Sequence, residues 1–166
     1  MQKDDKKAIF GWSMYDWANS AFATTIMAGF FPIFFKQYWS AGVDATVSTA
    51  RLGMANSIGG IFVALFAPIL GAIADRGTSK KKFLMFFAYM GVVMTSSLYM
   101  VSKGNWPIAV ILYIFATIGF SGGNIFYDSL ITSVASEKKL DFVSALGFAF
   151  GYLGFFIIYS RAMRAP

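Results

Sequence analysis

The 166-residue chain has no cysteine and no histidine. Without cysteine it has no disulfide and no thiol nucleophile. Without either residue it has no metal site built on thiolate or imidazole. Charge is scarce as well: Lys, Arg, Asp and Glu together make up 13% of residues, about half the roughly 25% usual in soluble domains. Only eight residues are acidic and only four are proline, so long helices are seldom interrupted. Apolar residues fill the gap, at 57% hydrophobic and 19% aromatic, with nineteen phenylalanines. A water-soluble core of this size cannot hide that many large apolar side chains. The composition reads as an integral membrane protein of the all-α class. The net charge of +6 does not call for nucleic acid as a partner. The cations sit in short polar stretches beside apolar runs, where they orient spans and meet anionic lipid. No cofactor and no metal are expected.

Five apolar stretches have spanning length: residues 15–35, 52–74, 83–101, 108–134 and 142–159. The chain opens on a polar segment with Lys3, Lys6 and Lys7. The apolar run after it, from Ala8 to Phe35, is too long for a signal-peptide core and contains Asp16 and Asn19, so it reads as a retained first span. Pro32 near its far end can be tolerated or can kink it. Residues 36–51 read as an outer loop holding Lys36, Asp44 and Arg51. Between the second and third spans, one acid and four bases crowd into Asp75 to Lys82, a short loop that the positive-inside rule keeps in the cytoplasm. That choice places nine cations inside: Lys3, Lys6, Lys7, Arg76, Lys80, Lys81, Lys82, Lys138 and Lys139. It leaves Lys36, Arg51 and Lys103 outside, while Arg161 and Arg164 in the final tail fit the rule poorly. The amino terminus is thus expected in the cytoplasm, and the chain in the cell inner membrane. Trp12, Trp39 and Trp106 fall near span ends, as interfacial aromatics do.

Two spans carry polar faces. In the first, Asp16, Ser20, Ala23 and Thr24 share one side, with Asn19 at its edge. Carboxylate and amide groups cost too much to face lipid, so they point to a bundle interior or a water-filled path. The alternative for Asp16 is an ordinary helix-start acid at the headgroup boundary. In the fourth span Thr117, Ser121, Asn124, Asp128 and Thr132 fall within an arc of roughly 80°, beside Gly119, Gly122 and Gly123. Asp128 is read as facing a central cavity, its alternative being an acid hydrated at the cytoplasmic rim. Small residues four apart predict close helix contacts at Gly60 with Ala64, at Ala67 with Gly71, and at Gly147 with Gly151.

Specific wording accompanies these patterns. Tyr15-Asp16-Trp17-Ala18-Asn19-Ser20-Ala21-Phe22 resembles the opening signature of the vacuolar effluxer-like branch of the major facilitator superfamily, which includes autophagy-related amino-acid exporters. Gly71, Ala74, Asp75 and Arg76, followed by the basic cluster, resemble the loop between helices 2 and 3 of that superfamily. The family's second glycine is replaced by Thr78, with Gly77 one place early. Phe126-Tyr127-Asp128-Ser129-Leu130 and the run Gly147 to Gly154 resemble the same branch, which often has proline where Thr132 stands here. The fourth span also lacks the arginine of many proton-coupled facilitators, so their mechanism is not carried over.

The resemblance implies about five helices of a twelve-helix fold whose substrate site lies between two halves. It implies the amino-terminal part of a secondary transporter, truncated and inactive alone, for small polar solutes such as amino acids. A coupling ion is left open. Asp16, Asn19, Ser20, Asn124 and Asp128 are the expected path or coupling residues. Gly71, Asp75, Arg76 and Lys80 are expected in a cytoplasmic gating loop. Two other readings stand beside it. One is a membrane subunit that does not transport and needs a partner to close its bundle. The other, more remote, is an intramembrane aspartyl protease using Asp16 and Asp128. Against the protease, Asn124-Ile125-Phe126-Tyr127 stands where such enzymes have Gly-x-Gly before the second aspartate.

Overall fold

The computed structural model describes residues 3–162, and every regular element among them is helical. Helix α1 (Lys6–Ala21) begins after Asp5, whose carboxylate accepts from the Lys7 N–H at 3.4 Å. It continues through a π-helical stretch, Phe22–Phe30, a short α2 (Phe31–Phe34) and a second π-helical turn, Phe35–Trp39. Pro32 lies within α2. It carries no N–H, and its ring crowds the carbonyl four residues back. Wider π turns lie on both sides of it, so the helical pitch changes around the proline. Helix α3 (Ala45–Arg76) is capped by Asp44, which accepts from the Thr46 N–H at 2.7 Å. Then follow α4 (Lys80–Ser97), α5 (Trp106–Val134) and α6 (Leu140–Ala162).

Among the described residues, four continuous helical stretches are long and apolar enough to cross a membrane: Lys6–Trp39, Ala45–Arg76, Lys80–Met100 and Trp106–Val134. The fifth expected span, residues 142–159, falls within α6. The expected outer loop of residues 36–51 is mostly helical. Its π-helical start runs to Trp39 and α3 begins at Ala45, so Arg51 lies two turns into a helix. Thirty-two residues of α3 rise about 48 Å, more than the roughly 30 Å hydrocarbon core, so helix continues into the interfacial layers.

The chain divides into two compact units. The first combines residues 1–30 with 127–166, and α1 packs against α6 there. The second comprises residues 31–126.

In the second unit α4 and α5 approach at backbone distance. A Cβ on Gly119 would lie 2.7 Å from the Gly91 nitrogen and 2.8 Å from the Phe87 carbonyl oxygen. A Cβ on Gly122 would strike the Phe87 ring at 2.6 Å. The expected contact stripe on α3 is different: among the described residues, a Cβ on Gly60 or Gly71 would meet nothing within 4 Å. Small residues permit close approach without requiring it, and here the approach is made by the glycines of α4 and α5. Phe87 and Phe126, with Ala74 of α3, form a buried cluster. At the other end of this unit Trp39 is 1% exposed and donates its indole N–H to the Val101 carbonyl at 3.2 Å. It pins two chain segments together and is not a free interfacial aromatic. The turn after α4 closes on Gly104, which has φ +83° and donates to the Tyr38 carbonyl at 3.1 Å.

Candidate functional site

Ser13, Asp16 and Ser20 lie three and four residues apart in α1 and therefore share one face. In the first unit that face meets the glycines of α6. A Cβ on Gly151 would lie 2.8 Å from Ser20 Oγ and 3.0 Å from Asp16 Oδ2. One turn earlier, a Cβ on Gly147 would meet the Trp12 ring at 2.6 Å and the Tyr127 hydroxyl at 3.2 Å. On Gly154 it would collide with the Trp17 indole. The predicted close contact at Gly147 and Gly151 is therefore formed, and side chains of α1 and α5 fill the groove that the glycines leave.

Tyr127 is the centre of this arrangement. Its ring stacks on Trp12 at 4.3 Å and on Tyr15 at 5.1 Å between centroids. Trp12 also donates its indole N–H to the Tyr127 carbonyl at 3.1 Å. The Tyr127 side chain is 5% exposed and its hydroxyl has no hydrogen-bond partner among the described residues; the same holds for Ser13 Oγ, at 0% exposed. Asp16 is half-buried, whereas Asp128 is exposed. The two carboxylates are near enough for their like charges to interact.

The other expected path residues are less concentrated. Asn19 is half-buried on α1 in the first unit, and Asn124 is half-buried on α5 in the second. Several hydroxyls of the predicted stripes bond to their own helix. Thr24 donates to the Ser20 carbonyl at 2.9 Å, Thr117 to that of Tyr113 at 2.9 Å, and Thr132 to that of Ser129 at 3.2 Å. The expected gating loop belongs to the second unit. Asp75 and Arg76 are exposed in the last turn of α3, and Lys80 opens α4, leaving only residues 77–79 between the helices. Gly77 closes α3 by donating to the Ile73 carbonyl at 2.8 Å, and a Cβ there would lie 2.5 Å from that same oxygen. A side chain at 77 has no room, which accounts for glycine at this position of the loop.

Sequence reasoning missed three features. Ser13 is one turn before Asp16, but its hydroxyl is unremarkable without knowledge of what covers it. Tyr113 donates to the Asn56 side chain at 3.0 Å, a pair on α5 and α3 that no single-helix pattern reveals. Asp4 joins the amino-terminal segment to the end of α5 and the connection that leads into α6. Its N–H donates to the Val134 carbonyl at 2.8 Å, its carboxylate accepts from the Ser136 N–H at 3.0 Å, and Lys139 Nζ lies 3.6 Å away. The Ser136 hydrogen bonds, aided by the Lys139 charge, hold the Asp4 carboxyl below its ordinary value of 3.8.

A family model described as vacuole effluxer Atg22-like matches residues 44–142. The chain belongs to this family. As a member of the Atg22-like family it is an integral membrane protein of a transporter family. It is similar to the uncharacterized MFS-type transporter YxiO of Bacillus subtilis (strain 168), with 41% identity over 155 residues covering 93% of this chain and 36% of the relative. It is 25% identical over 153 residues to an uncharacterized protein of Aquifex aeolicus (strain VF5), covering 92% of this chain and 37% of that one. Autophagy-related protein 22 of Coccidioides immitis (strain RS) is 26% identical over 169 residues, covering 76% and 28% respectively. The chain thus spans about a third of the length of the curated relatives it matches. No solved structure matches it.

Proposed function

We propose that the chain forms the amino-terminal part of a secondary transporter of major facilitator type that moves small polar solutes, amino acids among them. The observation that carries this reading is the polar face of α1, where Asp16 and Ser20 lie against Gly151 of α6 within membrane-spanning length. Ionisable groups at that depth mark solute or ion paths. An apolar cavity of about 670 Å³ in the second unit, lined by Phe62, Phe66, Phe87, Met90 and Phe115 among others, offers no polar side chain to such a solute. In this reading Asp16, Asn19, Ser20, Asn124 and Asp128 line the path or couple it to an ion. Gly71, Asp75, Arg76 and Lys80 belong to a cytoplasmic gating loop that does not touch solute. The amino terminus is cytoplasmic, and the protein resides in the cell inner membrane.

The test is uptake into proteoliposomes by a full-length relative, with the residues aligned to Asp16 and Asp128 replaced by asparagine. Turnover should fall at least tenfold in each variant. Unchanged turnover in both would remove these carboxylates from the path. Orientation is checked in this chain itself. Because it has no cysteine, single cysteines at Thr78 and Asn105 are its only thiols, and they should label from opposite faces of the membrane.

A further inference from the structure

The α1–α6 groove contains more unmet oxygen than a packing contact needs. Gly151 has no side chain, and the space a Cβ would take is flanked by Ser20 Oγ at 2.8 Å and Asp16 Oδ2 at 3.0 Å. One turn along α6, roughly 5–6 Å away, the Tyr127 hydroxyl lies beside Gly147, 3.2 Å from where its Cβ would stand. That hydroxyl is buried and has no hydrogen-bond partner among the described residues. So is Ser13 Oγ, on the face of α1 that carries Asp16 and Ser20. A buried hydroxyl without a partner is uncommon and calls for a bound water or ion. Within a membrane span, where no bulk water compensates it, the cost is higher. A carboxylate in the same groove is neutralised there either by a proton or by a bound cation.

We propose that this groove binds an alkali-metal cation, held by the Asp16 carboxylate and the Ser20 hydroxyl beside Gly151, with the Tyr127 hydroxyl adjoining. Ligand chemistry selects the ion. One carboxylate with neutral hydroxyl oxygens balances a single positive charge. Divalent ions of this hardness draw on more carboxylates, and no group of three metal-binding side chains occurs among the described residues. Gly151, lacking a Cβ, is then the residue that lets the Asp16 and Ser20 oxygens converge this close to α6. The ion's role in coupling rests on the transporter reading above; its binding does not.

The experiment measures the melting midpoint of this chain in lipid nanodiscs, at equal ionic strength of sodium, potassium or choline chloride. At least one alkali salt should raise the midpoint by about 3 °C over choline, in a saturable way. Asp16→Asn and Gly151→Ala should abolish the rise, and Tyr127→Phe should weaken the apparent affinity at least threefold. Tyr127→Phe and Ser20→Ala remove only a hydroxyl, so they report on binding even if the other two variants fail to fold. Broadening of the sodium NMR line by the native chain, absent with Tyr127→Phe, is the second readout. Equal midpoints in all three salts, or a midpoint that follows pH alone, overturn the cation site. They leave the transport role of Asp16 to be judged by uptake, just as unchanged uptake leaves cation binding to be judged by the midpoint.

Discussion

Two glycine contacts in this molecule use the same residue for opposite ends. In the second unit, Gly119 and Gly122 of α5 let the α4 backbone and the Phe87 ring come in, and the result is apolar and filled. In the first unit, Gly147 and Gly151 of α6 admit an aromatic stack at one turn and a carboxylate with a hydroxyl at the next. Glycine provides room in both cases. What enters the room decides whether the contact serves only cohesion or also offers polar chemistry. The contrast implies that filling the first kind of contact damages the fold, while filling the second kind damages function first.

The largest effect should come from Gly119→Ala. Its new methyl would face two backbone atoms that cannot rotate away, at 2.7 and 2.8 Å. Overpacking against backbone should cost about 3 kcal/mol, read as a large fall in melting midpoint. Its partner sharpens the point: Gly91→Ala meets its nearest atom, the Ala116 carbonyl oxygen, at 3.7 Å and should be close to neutral. Equal penalties for the two would show that the contact is not made as described. Gly122→Ala ranks next, at about 2 kcal/mol, because the obstacle is the Phe87 ring at 2.6 Å. Phe87→Leu in the same chain should recover part of the loss.

Gly151→Ala should cost less, about 1 kcal/mol, since the groups it meets are the ends of two short side chains. Introduced at the aligned position of a full-length relative, however, it should lower uptake at least tenfold while expression persists. A stability loss as large as that of Gly119→Ala, with uptake per folded molecule unchanged, would erase the distinction between the two contacts.

The smallest effect belongs to Asp4, which is half-buried in the amino-terminal segment. Its carboxyl is held below 3.8 in the folded chain, so the folded state prefers the ionised form. The stabilisation is fully present well above pH 3.8 and is lost as the pH falls through 3.8 towards the lowered value. Asp4→Asn should flatten that acid limb of the stability profile and leave the profile near neutral pH almost parallel to the native one. An unchanged acid limb would mean that the Asp4 link to Ser136 and Lys139 is not maintained in solution.

The membrane class was legible because it depends on composition and run length alone. Hydrocarbon rejects unpaired backbone groups, so long apolar runs must be helical. The motif Gly147 to Gly151 was legible for a related reason, since close approach of two helices needs small residues at a fixed spacing. At Gly60 and Gly71 the same spacing occurs, but no described residue lies within 4 Å of where a Cβ would stand. Spacing states where contact is allowed, and only the packing partner decides where it happens. The first helix shows a second limit. Its apolar run and Pro32 predicted a span in which the proline is tolerated or makes a kink, but not the π-helical turns Phe22–Phe30 and Phe35–Trp39, because pitch responds to packing and proline together.

The candidate site divides in the same way. Asp16, Ser20 and Asp128 could be picked from sequence because polar groups within apolar runs are conspicuous. Ser13 and the Tyr127 hydroxyl could not, because a serine or a tyrosine is ordinary until its surroundings are known. By itself, then, the sequence determined that this is a helical membrane protein and which few residues are too polar for lipid. The tertiary structure decided which glycines are contacts, which side chains fill them, and which buried hydroxyls are left without a partner. Those depend on atoms brought together from helices far apart in the chain, and no local pattern encodes that proximity.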